Sequence, residues 1–186
     1  MRITAAILLS LVLYAGQAGA SLPVPLPAAV LADARQVAGE LRPLGSGEMR
    51  WFGFKIYDAA LWVPAGVGWS TETVFALAIR YARDIEGERL VEATLDEMRR
   101  MGLAEEARIA RWREPLTRAL PSVAVGDTLV GLSVPDGGAR FWHDGKSTAI
   151  LEDSDLARAF FAIWLDSQTR EPALRLKLLG LEQVSR

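Results

Sequence analysis

Residues 44–64 read LGSGEMRWFGFKIYDAALWVP, and the fold follows from how they pair. A glycine-serine-glycine sequence opens the stretch and reads as a turn, and a proline closes it. Between them lie the aromatic and β-branched residues that suit a pleated sheet. Two arrangements satisfy this pattern: one long central strand, or a tight pair of strands. In a single strand, alternation puts Met49, Trp51, Lys55, Tyr57, Leu61 and Val63 on one face and Arg50, Phe52, Phe54, Ile56, Asp58 and Trp62 on the other. Both faces then carry aromatic and charged residues. Such a strand needs cover on both sides, or a bulge near Gly53 or Asp58 that changes its facing. Either case sets polar groups beside apolar surface, as a pocket wall or a sheet centre does.

Upstream, residues 1–20 (MRITAAILLSLVLYAGQAGA) hold one early arginine, an apolar run and a small-residue end at Ala18-Gly19-Ala20. This is the pattern of a secretory signal peptide cleaved before Ser21, and it predicts export to the periplasm. Cleavage removes Arg2 and no acid, leaving 20 basic against 23 acidic residues. For a mildly acidic chain neither nucleic acid nor an anionic surface is an expected partner. The remaining chain has the length of one domain with a sizeable core, and no later segment is apolar enough to span a membrane. Residues 21–36, with three prolines in SLPVPLP, read as an extended N-terminal segment, and residues 37–186 as a single domain that starts with a short strand over 37–44.

Downstream, Phe75, Leu77, Ile79 and Tyr81 alternate with small residues and predict a half-buried strand. Residues 86–101 predict a helix with Leu90, Val91, Leu95, Met98 and Met101 on its apolar face. A helix covering a sheet explains that face, and Met98 could also line a pliable cavity. Residues 105–120 continue helically, with a fresh turn expected at Pro115. Arg108, Arg111, Arg113 and Arg118 interleave there with Glu105, Glu106 and Glu114 as a solvated face. From Gly126 the period becomes two, and turns at Pro135-Asp-Gly-Gly and Asp144-Gly145 mark a three-stranded meander. Two closing helices follow, one capped near Asp153 and one opened by Pro172.

Strands first, two helices, a meander and two helices imply an α+β fold. Cysteine is absent, which excludes disulfides, thiol catalysis and thiolate metal sites. The single histidine, His143, sits by the Asp-Gly turn and is expected to face solvent. No metal and no cofactor is expected, for the phosphate-loop, nucleophile-elbow and zinc patterns are all missing. The chemistry left on offer is Arg50, Lys55, Tyr57 and Asp58 along an aromatic strand. A buried arginine needs a counter-charge, so Arg50 either pairs internally, with an acid such as Asp58 or Asp84, or faces a ligand carboxylate or enolate.

The motif G-S-G-x-x-R followed by F-x-F-K-x-Y-x-A-A-L-W-V-P resembles the opening of the chalcone isomerase-like family, especially its secreted bacterial branch. The resemblance extends through Tyr81-Ala-Arg-Asp-Ile85, V-x-x-G-D-T-L at residues 123–129, Asp144-Gly-Lys146, residues 160–165 and Glu171-Pro-Ala-Leu174. It implies an open-faced β-sandwich, an antiparallel sheet covered on one face by a helical layer with a ligand cleft between them. Members of the family are either plant enzymes that cyclise a chalcone to a flavanone or relatives that bind fatty acids or have no known activity. In the enzymes an arginine after the glycine motif stabilises phenolate and enolate charge, and Arg50 matches it. Tyr57 stands where the enzymes carry a threonine, and residues 86–120 contain none of the Tyr, Lys or Asn that the helical layer contributes in the enzymes.

The expected function is binding of a small amphipathic or carboxylate-bearing ligand, a fatty acid or phenolic, with Arg50 at its acidic end and Phe52, Phe54, Tyr57 and Met98 along its apolar part. The resemblance also admits an intramolecular lyase with Arg50 as oxyanion stabiliser and Tyr57 as proton relay. A third possibility is a structural or partner-binding envelope protein whose cleft is filled by its own side chains.

Overall fold

A computed structural model describes residues 22–182. The signal-peptide reading of residues 1–20 lies outside the described residues. Six antiparallel strands form one sheet in sequence order: β1 (Leu41–Trp51), β2 (Phe54–Pro64), β3 (Phe75–Tyr81), β4 (Thr128–Val134), β5 (Gly138–His143) and β6 (Lys146–Leu151). Among the described residues five helices complete the α+β fold: α1 (Ala28–Ala38), α2 (Gly87–Arg100), α3 (Glu106–Ala119), α4 (Ser154–Leu165) and α5 (Pro172–Leu178). Among the described residues no helix is long and apolar enough to cross a membrane.

The deciding stretch is a strand pair. The chain reverses at Phe52-Gly53, both at positive φ (47° and 80°), so Trp51 pairs with Phe54 and Met49 with Tyr57. Positive φ at both central residues is the geometry of a two-residue type I′ hairpin. The glycine-serine-glycine sequence is therefore not a turn but lies inside β1, where a register irregularity falls between Pro43 and Gly45. Its glycines serve close packing: a Cβ on Gly45 would stand 2.0 Å from the Lys177 carbonyl oxygen of α5.

Strand β2 needs cover on both faces and has it. Ala59, Leu61 and Val63 join Phe75, Leu77, Ile79, Leu129 and Phe141 in the main core beneath α2–α5. Ala60 faces the other way with Ala76, Ala78, Val130, Leu132 and Trp142, and there Val24, Leu26, Val30 and Ala34 close the surface. The segment expected to be extended to residue 36 is extended only to Pro27, beyond which α1 runs to Ala38. Its buried stripe is only Val30 and Ala34, too thin to register as a hydrophobic period, while the alanine-rich composition favours a helix. Gly39, at φ 78°, ends it, so the first strand begins at Leu41 and not at 37.

The helical layer follows the apolar periods. Helix α2 buries Val91, Thr94, Leu95 and Met98, and α3 buries Ile109, Trp112, Leu116 and Ala119. Helix α3 runs unbroken through Pro115, where a fresh turn was expected. The missing N–H leaves the Arg111 carbonyl without its usual i+4 donor, and the exposed side of the helix tolerates this. Phe160 and Phe161 of α4 complete an aromatic cluster with Phe75 and Phe141 at centroid separations of 4.9–5.2 Å. Such edge-to-face contacts add to area burial in fixing how α4 sits on the sheet.

Candidate functional site

The five residues proposed from sequence do not share one cleft. Arg50, Phe52 and Phe54 lie at the hairpin tip in solvent. The Arg50 guanidinium bonds to the Glu48 carboxylate (2.6 Å) and to the Gly53 carbonyl (2.9 Å). Arg50 thus pairs internally, but with Glu48; Asp58 takes Lys55 and Arg80, and Asp84 accepts from the Val125 N–H. Met98, on the inner face of α2, is fully buried.

Tyr57 is packed edge-on against Tyr81, and its hydroxyl oxygen accepts from the Trp164 indole N–H at 2.9 Å. Burial pushes the Tyr57 phenol up to about 12, with Glu171 adding to the rise and the Trp164 hydrogen bond opposing it. A phenol so placed stays protonated at neutral pH and holds α4 to β2. Arg50 points to solvent at the tip and Tyr57, half-buried against the core, is held by Trp164, so the two do not form a paired acid–base constellation.

The interior between sheet and helices is filled by Leu95, Met98, Trp112, Phe141, Phe160 and Phe161. At one end of it a cleft of about 70 Å³ opens between Trp69, Phe75, Phe161 and Leu165. Bound organic ligands of drug size occupy several hundred Å³, so this cleft is too small for one.

A larger concavity lies where α3 crosses the edge strand β6. This groove has a volume of about 670 Å³, in the range of small-molecule sites. Trp112, Leu151 and Leu156 form its floor, with Pro115 and the exposed Ile150 on its walls. Spacings of three, four and seven residues put Arg108, Arg111, Pro115 and Arg118 on one face of α3, along the rim. Two of these arginines are engaged. Arg108 pairs with Asp155 and lies 3.6 Å from Asp153, over the Trp112 ring, while Arg118 pairs with Glu114. Arg111 has no hydrogen bond or ion pair among the described residues.

Asp153 fixes the inner end of the groove. One carboxylate oxygen accepts from the backbone N–H groups of Asp155 and Leu156, capping α4, and the other accepts from the Trp112 indole at 2.9 Å. Burial works to raise its pKa, but these hydrogen bonds and Arg108 outweigh it and hold the carboxyl below its ordinary value. The groove thus combines an apolar floor, an anchored wall and a charged rim on which Arg111 is uncommitted and the Glu152 carboxylate is exposed, an arrangement that can take a chain ending in an acid at Arg111.

From the sequence these arginines are expected to form a solvated face. The available signal was that three of them share a 3.6-residue face with Trp112 and Pro115; the contribution of Ile150 and Leu156 is a tertiary fact. A second cluster brings Asp127, His143 and Asp144 together with ligand atoms within 4.8 Å. His143 does not face solvent freely but bonds to Asp127 at 2.8 Å. Asp127 also accepts from the Ala124 N–H and Asp144 from the Thr128 N–H, so these carboxylates close the turns at the ends of β4 and β5. The Ala124 hydrogen bond, followed by that to His143, lowers the Asp127 pKa.

No match is found among curated proteins. Among solved structures, a fatty-acid binding protein of Arabidopsis thaliana is similar with a TM-score of 0.56 and 10% identity, over 75% of this chain and 86% of that one. At that identity the likeness speaks for the fold. The sequence profile of the chalcone isomerase-like family matches residues 29–180, from α1 through the Gly180 that follows α5. A match over most of the chain, a six-stranded antiparallel sheet under a helical layer, and the shared fold agree: the chain belongs to the chalcone isomerase-like family.

Proposed function

We propose that this protein binds a long-chain carboxylate in the groove between α3 and β6, and that it does so in the periplasm after removal of residues 1–20. The observation that carries the reading is Arg111, an uncommitted guanidinium on the charged rim of a groove of about 670 Å³ whose floor is apolar. A carboxylate there would gain charge-assisted hydrogen bonds, and its hydrocarbon would cover Trp112, Pro115, Ile150 and Leu156. The similar fold of a fatty-acid binding protein supports the ligand class, and the leader-like residues 1–20 support the location. Cyclisation through Arg50 and Tyr57 lacks comparable support, because one side chain is spent on Glu48 at an exposed tip and the other is a half-buried hydrogen-bond partner of Trp164.

Displacement of a fluorescent fatty-acid analogue tests the reading. Arg111→Glu should weaken binding by roughly ten- to a hundredfold, the worth of a hydrogen bond to a charged group. Ile150→Asp should weaken it by removing apolar contact, while Arg50→Ala should leave it unchanged. Equal affinity across all three variants would place the ligand elsewhere, and no binding by the unaltered protein would favour a structural or partner-binding role for the filled fold.

A further inference from the structure

The β1–β2 hairpin tip carries an arrangement that neither the fold nor the groove uses. Trp51, Phe52 and Phe54 expose 64%, 84% and 62% of their surface, and among the described residues they are the only exposed aromatic side chains. The tip projects by a short way, because the last backbone bond from the β3 side is that of the Ala82 N–H to the Ile56 carbonyl, which leaves residues 50–55 as a two-stranded ribbon.

Phe52 is the informative residue. It holds the first central position of a type I′ turn at φ 47°, where asparagine, aspartate or glycine is favoured and a bulky residue is strained. Its ring meets only that of Trp51, at 5.2 Å, and otherwise points into solvent. The fold gains nothing from this ring and would turn more easily without it.

Cations surround the aromatics. Arg83 lies over the Phe54 ring at 4.9 Å, donates to the Lys55 carbonyl, and has no carboxylate partner among the described residues. Arg50 and Lys55 share Glu48, and Asp58 lies further in, between Lys55 and Arg80. The carboxylate of Asp84 is turned to the Val125 N–H. Four cations, Arg50, Lys55, Arg80 and Arg83, thus stand against three acids, Glu48, Asp58 and Asp84, and Arg83 is the cation without a carboxylate, in a chain whose formal net charge is −2.

We propose that this tip docks the protein on an anionic lipid bilayer, with Trp51, Phe52 and Phe54 in the interfacial region and Arg83, Arg50 and Lys55 at the level of the phosphates. Tryptophan favours that interface, and arginine and lysine reach from apolar surroundings to the headgroups. A bilayer fits the tip better than a protein partner does. Three part-exposed aromatic side chains offer about 300–500 Å² on a convex point, short of the ~800 Å² per partner of a stable protein interface. A bilayer demands no matching concave surface. The inference stands apart from ligand binding in the groove, which lies beside the opposite edge strand of the sheet.

Vesicle flotation tests it, using residues 21–186, which contain all eleven elements and omit the apolar run that would partition by itself. The probes are vesicles of phosphatidylcholine alone and vesicles with a third of the lipid replaced by phosphatidylglycerol. The protein should float with the anionic vesicles, and Trp51→Ser/Phe52→Asn/Phe54→Ser should reduce its partitioning at least tenfold. Arg83→Glu should reduce binding to anionic vesicles selectively. Phe52→Asn alone separates docking from folding: it should keep or raise the melting temperature, since asparagine suits the turn, and still lower flotation. A protein that floats with neither composition overturns the proposal, as does a triple variant that floats as well as its parent.

Discussion

Replacing Gly45 with alanine is expected to destabilise the protein by about 3 kcal/mol or more, at the upper end of what overpacking costs. The added Cβ would stand 2.0 Å from the Lys177 carbonyl oxygen and 2.7 Å from that of Leu178. Both are backbone atoms of the last helix, so no side chain can rotate away. The last turn of α5 must lift from β1, exposing the buried Leu174 and Leu178. Gly47→Ala meets Leu174 Cδ1 at 2.8 Å and the Lys177 side chain at 2.9 Å, which are movable ends, and should cost about 1 kcal/mol. Gly68→Ala, with nothing within 4 Å, should stay within about 0.5 kcal/mol of the parent. Chemical denaturation ranks the three, and hydrogen exchange should show the loss of protection in Gly45→Ala concentrated in α5. Equal stabilities would mean that α5 does not seat on the glycine pair.

Asp153→Ala is expected to cost roughly 2–4 kcal/mol, combining a lost helix N-cap with a part-buried indole N–H left unpaired. Asp153→Asn keeps an acceptor for the cap and should recover about half of that loss. The charge on Asp153 also makes the tie pH-dependent. Its folded-state pKa is lowered, so the unfolded chain binds the proton more readily as acid is added. The contribution is then complete above the unfolded aspartate value near 3.9 and is lost as pH falls through the lower folded value. Stability of the parent minus that of Asp153→Asn should accordingly be constant from neutral pH to about 5 and shrink below about 4. A difference that grows on acidification would contradict this assignment.

These two residues show what could be read from the chain and what could not. The meander was legible because alternation and Asp-Gly chemistry agree in residues 128–151, and α2 because its apolar stripe is thick. The glycine-serine-glycine sequence misled because glycine signals both turning and close approach, and only the position of α5, more than a hundred residues later, decides between them. The true reversal was disguised by a phenylalanine in a position that suits asparagine. Helix α1 was hidden by alanine, which buries well but leaves no hydrophobic period.

The site was less legible than the fold. The pairing of Arg50 with Glu48 follows from alternation, since residues two apart share a strand face. The groove is different in kind, because its cationic rim comes from α3 and its apolar wall from β6 and α4. What distinguishes Arg111 from its neighbours is that Asp155 pairs with Arg108 and Glu114 with Arg118 while Arg111 pairs with neither, a result of three-dimensional competition.

The most direct test of ligand binding in the α3–β6 groove is a crystal structure of the protein with a saturated long-chain carboxylate. The account predicts continuous density along Trp112, Pro115, Ile150 and Leu156 with the carboxylate within hydrogen-bonding distance of the Arg111 guanidinium, and an unmoved core around Met98 and Tyr57. Density threaded between the sheet and α2–α4, with Met98 or Phe161 displaced, or a carboxylate held by Arg50 at the hairpin tip, would contradict it.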